Sequence, residues 1–128
     1  MDEQVTPMKR ALISRFDIVY ISGAMTGIPD FNVTAFNEAE HYLVNTFGCV
    51  VINPARHPQC ENLPREYYME LAKIDVKHCD VVVFIEGEYH RDGKIVKHCW
   101  QKSEGALQEL GWSIEFGKKV IEMKELEK

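Results

Sequence analysis

Asp80-Val81-Val82-Val83-Phe84-Ile85 is the stretch that decides the fold. An apolar run of β-branched and aromatic residues, with no polar alternation, suits a strand covered on both faces. That is the habit of parallel sheets between helical layers. Upstream, Pro64 suits the first turn of a helix running to about Cys79, preceded by a Pro-bearing loop over 55–63. Cys49-Val50-Val51-Ile52, stopped by Asn53-Pro54, reads as another strand. Asn32 to Phe47 carries apolar residues at Val33, Phe36, Ala39, Tyr42 with Leu43, and Phe47, which predicts an amphipathic helix ended by Gly48. Before it, Phe16-Asp17-Ile18-Val19-Tyr20-Ile21-Ser22 reads as a buried strand that stops at Gly23.

Downstream, the pattern breaks down from Glu86 to Gln101, where Arg91-Asp92-Gly93-Lys94 suits a turn with Asp-Gly at its tip. Ser103 is a suitable N-cap for a helix over Glu104–Phe116, closed by Gly117. Val120–Met123 is a last strand, and the Lys/Glu tail beyond it is expected to fray. Strands alternating with helices predict a single α/β domain over 1–128, with its core at 16–123 and an insertion at 86–101. The expected architecture is a small doubly wound, Rossmann- or flavodoxin-like sheet of four to five mostly parallel strands, with helices on both faces.

With 128 residues the chain has the size of one domain, and 45% hydrophobic residues are too many for a disordered one. Fifteen Lys and Arg against 20 Asp and Glu give a formal charge of −5, which argues against an extended nucleic-acid footprint. No apolar run approaches bilayer length, and 1–10 lacks an apolar signal core, so a soluble, cytoplasmic protein without a membrane partner is expected. Cys49, Cys60, Cys79 and Cys99 form no C-x-x-C pair and read as reduced thiols. His57, His78, His90 and His98 are scattered, so neither a metal site nor a cofactor is expected.

Ligands of open parallel sheets bind beyond the carboxyl ends of the strands, which points to 22–31, 53–63 and 86–103. Ser22-Gly23-Ala24-Met25-Thr26-Gly27 is rich in small residues that let backbone amides approach a ligand. It matches neither G-x-G-x-x-G nor a P-loop, and a plain strand-to-helix turn explains it as well. Ser103-x-Gly105-Ala106-x-x-Glu109 opens a helix whose free amides suit an anion. Glu109 is read either as a carboxylate facing the crevice or as a solvated surface acid, and Asp75, Glu70 and Glu66 read by default as surface acids.

Val19-Tyr20-Ile21-Ser22-Gly23-Ala24-Met25-Thr26-Gly27-Ile28-Pro29-Asp30-Phe31-Asn32, followed by Ala35-Phe36-Asn37, resembles the opening of the nucleoside 2-deoxyribosyltransferase-like superfamily, and more closely its small phage- and prophage-borne branch. Val51-Ile52-Asn53-Pro54, Cys79-Asp80-Val81-Val82-Val83, Trp100-x-x-Ser103-x-Gly105-Ala106-x-x-Glu109 and Gly117-Lys118-Lys119-Val120 match in order, so the resemblance covers about 17–123.

The resemblance implies cleavage of the N-glycosidic bond of a 2′-deoxynucleoside or its 5′-monophosphate. Glu109 would be the nucleophile at the anomeric carbon, and water or a second base would resolve the covalent intermediate. In that role its carboxylate is expected to be poorly solvated, with hydrogen bonds from the 22–27 loop or Tyr20 keeping it ionised at neutral pH. Tyr20 and Ser22 would line the sugar–base pocket, Asp30 and Asn32 would touch base or ribose, and Ser103 with Gly105 would hold the 5′ end. The 23–27 loop, Asn53 and Trp100 complete the expected binding set. Superfamily members often carry an Asp where this chain has Ala72, so Asp75, three residues on, is the candidate second catalytic acid. A second departure is the stretch 88–98 within the 86–101 insertion, whose His90, Arg91, Lys94, Lys97 and His98 are expected either to cover the site and supply cations to a phosphate or to form no more than a floppy hairpin. Relatives complete their pockets across subunits, so a homo-oligomer is expected, with Glu104–Phe116, through Trp112 and Phe116, as its interface. A nucleotide-binding or nucleotide-sequestering module of phage or prophage origin, without turnover, is the alternative.

Overall fold

A computed structural model describes residues 12–25, 28, 32–56 and 64–126. Four strands form one all-parallel sheet in the order β2-β1-β3-β6: β1 is Ile18–Ser22, β2 Val50–Ile52, β3 Val81–Phe84 and β6 Lys119–Glu122. The decisive run is indeed a central strand, and all four residues of β3 are buried. Alternation along β1 sorts the two cores. Val19 and Ile21 pack with Phe36, Ala39, Leu43 and Phe47 of α1 (Val33–Phe47), and Tyr20 faces the opposite layer with Val76 and Ala106. That second layer is α2 (Arg65–His78) and α3 (Glu104–Glu115). Among the described residues no helix is long and apolar enough to cross a membrane.

Several boundaries differ from the sequence reading. The first strand begins at Ile18, since Phe16 lies in a turn closed by the Asp17 amide on the Ser14 carbonyl and is 79% exposed. Asn32 caps α1 from the left-handed region (φ 63°) instead of joining it, and Pro64 likewise stands just ahead of α2. Cys49 precedes β2, buried with its thiol toward the Leu43 carbonyl. The tail holds as far as Leu126: α4 (Met123–Leu126) buries Met123 and Leu126, and the Tyr42 hydroxyl donates to the Leu126 carbonyl at 2.9 Å.

The 86–101 segment is more ordered than its pattern suggests. β4 (Gly87–Arg91) and β5 (Lys94–His98) pair antiparallel as a hairpin that shares no ladder with the main sheet. Asp92 and Gly93 both have positive φ, 52° and 74°, as a two-residue type I′ turn requires. Trp100–Lys102 form a 3₁₀ turn that leads into α3.

Candidate active site

The site is built around a carboxylate on the inner face of α3. Ala106, Glu109 and Ser113 are the residues of that helix turned to the sheet, and Glu109 is only 8% exposed. The solvated alternative is therefore excluded. Ser103 fixes the start of the helix by accepting a hydrogen bond from the Ala106 amide at 3.2 Å. One turn beyond the carboxylate, the Ser113 hydroxyl donates to the Glu109 carbonyl at 2.7 Å.

Both carboxylate oxygens are engaged by hydroxyls of β1. Tyr20 Oη donates to Oε2 at 2.5 Å, and Ser22 Oγ donates to Oε1 at 2.5 Å. Residues two apart on a strand face the same side, so one face of β1 presents both donors to one acid. Burial nevertheless outweighs them: desolvation, opposed by the Ser22 and Tyr20 hydrogen bonds and reinforced by the negative charge of Asp75, lifts the Glu109 carboxyl to about 7. The sequence reading expects these hydroxyls to keep the group ionised at neutral pH. Instead burial moves the group up toward neutrality. Tyr20 is raised well above its ordinary value, first by burial and then by the neighbouring Glu109.

Asp75 lies half-buried on α2, and its charge acts on both Glu109 and Tyr20. Ala72, one turn earlier, is buried in the layer beneath the sheet. Tyr20, Ser22, Glu109 and Asp75 are thus brought together.

Other candidates serve the frame. Gly23 is small because of its neighbour: a Cβ there would stand 2.8 Å from Ile85 Cγ1 and 3.0 Å from the Ile85 carbonyl oxygen. Ala24 is buried, its carbonyl accepting from Asn32 Nδ2 at 3.1 Å, and Met25 packs against the α1 core. Asn53 spends its amide on Asn37 and Glu40 of α1 and its carbonyl on the Ala55 amide. Gly105 has open space where a side chain would stand, with only Ser103 Oγ nearby at 3.9 Å. Trp100 is a loop anchor, its ring 4.3 Å from that of Phe84 and its indole N–H donating to Glu122 Oε1 at 3.0 Å. Thr26, Gly27 and Asp30 lie outside the described residues.

Sequence reasoning missed Glu122 and Ser113. Glu122 was legible only as a polar residue within the last strand, and Ser113 only as a polar residue on the apolar face of its helix. Of the insertion's cations, His90, Arg91, Lys94 and Lys97 are exposed on the hairpin. His98 pairs across it with Gly87, where a Cβ would meet Asn32 and Ile28 at 3.0 Å. The hairpin base therefore abuts the loop that follows β1.

Residues 17–122 match the family described as Domain of unknown function (DUF4406). No curated protein matches the chain.

Proposed function

The chain belongs to the DUF4406 family, and we propose that it cleaves the N-glycosidic bond of a 2′-deoxynucleoside or its 5′-monophosphate, by hydrolysis or by transfer to a second base. The superfamily resemblance of the sequence motifs suggests the substrate. The observation that carries the chemistry is the buried Glu109 carboxylate, with each oxygen held by a separate hydroxyl of β1.

In the proposed reaction the anionic Glu109 attacks C1′ of the sugar. The C1′–O bond to the enzyme forms as the C1′–N bond breaks, and the electron pair leaves with the base, which takes a proton from water. Water, or the ring nitrogen of a second base, then attacks C1′ and frees the carboxylate, while the anionic Asp75 takes a proton from the incoming group and passes it to solvent. Tyr20 and Ser22 hold the nucleophile in one rotamer, so that little reorganisation is left for the transition state. The absence of a 2′-hydroxyl makes the sugar cation easier to form, which suits a site with few donors.

The small-molecule partner is accordingly a deoxynucleoside or deoxynucleotide. We also propose a homo-oligomer formed by a second copy of the chain, through a different part of α3 from the one the sequence suggests. Trp112 and Phe116 are half-buried against the chain's own core, whereas Leu107 (46% exposed) and Ile114 (69%) face outward on either side of Gly111. Glu104 stands at one end of this face and Lys118 lies just past the other. An antiparallel pairing about Gly111 would oppose the two charges.

One observation favours the non-catalytic alternative: Ala72 carries no carboxyl where the resembled superfamily often has an Asp, and it is buried in packing. Incubation with each deoxynucleoside and its monophosphate, followed by chromatography for free base, separates the two readings. Base release that is lost in Glu109→Ala supports the enzyme. Tight ligand binding with no release from the parent overturns it in favour of a nucleotide-sequestering module.

A further inference from the structure

Ser22, Phe84 and Glu122 are register partners across β1, β3 and β6, one row at the carboxyl edge of the sheet. Each grips the segment that carries the candidate nucleophile. Ser22 holds Glu109 itself, Phe84 lies against the Trp100 ring at 4.3 Å, and Glu122 Oε1 accepts from Trp100 Nε1 at 3.0 Å and from Gln101 Nε2 at 3.4 Å. Trp100 and Gln101 open the 3₁₀ turn that ends at Ser103, the cap of α3, and Glu109 sits in the second turn of that helix.

Glu122 is itself oriented. Its other oxygen lies 3.7 Å from Lys124 Nζ, and its backbone amide donates to Glu125 Oε1 at 3.0 Å. The sheet therefore clamps α3 at two points. One is the Tyr20–Ser22 pair on the carboxylate, and the other is Glu122 on the turn before the helix.

We propose that Glu122 is a positioning residue for Glu109: through Trp100 it fixes the entry of α3 and hence the depth at which the carboxylate sits against β1. The proposal rests on Glu109 being the reactive group, although the clamp is a property of the fold in either case. Trp100 is mostly buried, so a lost indole partner leaves an N–H without an acceptor and favours a shift of the turn. Displacement of a catalytic group by about 1 Å can cost about 100-fold in rate.

The test uses Glu122→Ala, Glu122→Gln and Trp100→Phe, with two readouts: steady-state base release, and the carbon-13 titration of the Glu109 side-chain carboxyl. Glu122→Ala should lower kcat by about tenfold or more with KM little changed. Its Glu109 midpoint should fall from about 7 toward the ordinary 4.5 as water reaches the carboxyl. Glu122→Gln keeps an acceptor oxygen and should restore both. Trp100→Phe keeps the ring against Phe84 but removes the donor, and should follow Glu122→Ala even if that variant folds poorly. A parent-like midpoint and kcat in both Glu122→Ala and Trp100→Phe overturn the proposal. If the parent releases no base, the functional reading fails by itself, and the midpoint alone decides whether Glu122 positions Glu109.

Discussion

Replacing Glu109 by Gln should make the protein more stable above neutral pH while abolishing cleavage. The carboxyl sits at about 7 in the folded chain against an ordinary 4.5. Its folded value is raised, so the unfolded chain gives up this proton before the folded one does. Stability from this group is therefore fully present below 4.5 and is lost as pH climbs through 7. A difference of 7 − 4.5 at about 1.4 kcal/mol per pH unit amounts to about 3 kcal/mol. The amide of Gln is nearly isosteric and never ionises. Its oxygen accepts from one hydroxyl and its NH₂ donates to the other, so Tyr20 and Ser22 both keep partners. Thermal melts of parent and variant by near-ultraviolet circular dichroism should nearly coincide at pH 4.5. By pH 8.5 they should separate by about 10 °C in favour of Glu109→Gln, at roughly 3 °C per kcal/mol for a chain of this length. Taking the difference between two chains at each pH cancels the other titrating groups. In the parent, base release should rise with pH through about 7, because the anion is the attacking form. A melting difference that is the same at both pH values would refute the claim that this carboxyl is desolvated, and with it the basis of the proposed site.

Asp75→Asn should lower the Glu109 midpoint, since the Asp75 charge helps to raise it, and should slow turnover by removing the acceptor of the incoming group's proton; an unchanged midpoint by carbon-13 titration would count against their proximity. Gly23→Ala should destabilise by about 1–3 kcal/mol in urea unfolding, because the new methyl meets Ile85 at 2.8 Å where β1 and β3 end. Light scattering at micromolar concentration should report at least a dimer, and Leu107→Glu combined with Ile114→Glu should dissociate it; a monomeric parent refutes the proposed α3 face.

The sheet was legible because its strands obey a simple physical rule. A parallel strand buried on both faces needs no polar residue, and Val81–Phe84 offers none. The hairpin was not legible from hydrophobicity, since it has no core face to announce. Glu88, His90, Ile95 and Lys97 share one exposed side, and only Tyr89 and Val96 in the middle of the other are half-buried apolar residues. What could be read was its turn, because Asp-Gly suits two consecutive positive φ angles. Phe16 misled for the opposite reason, an aromatic residue next to a strand that joins no strand.

The site was legible in its identities and not in its roles. Ser103, Gly23 and Asn53 are the residue types that ligand loops use, and also those that helix caps, tight strand ends and buried turns use. Here the structure employs each in the second way. The Ser103 cap was readable locally, its partner Ala106 being three residues on, but for the other two local pattern could not decide, because the partners are distant in sequence: Ile85 for Gly23, and Asn37 and Glu40 for Asn53. Local pattern alone also left Glu109 either buried or solvated, since its two donors lie 87 and 89 residues away; the family resemblance is what placed Tyr20 and the 22–27 loop beside it.

That burial is the strongest reason to regard Glu109 as functional. A carboxylate in this position costs the folded state stability through the physiological pH range, and its two hydrogen bonds offset the cost only in part. Gln would satisfy the same hydroxyls without that penalty, and an apolar residue would suit the neighbouring core of Val82, Phe84 and Ala106 provided the hydroxyls found other partners. Packing alone therefore gives no reason for an acid here. The proposed chemistry would supply one: an ionisable group raised toward neutrality and held at both oxygens in one orientation is poorly made for stability, and suits the attack on an electron-poor carbon proposed above.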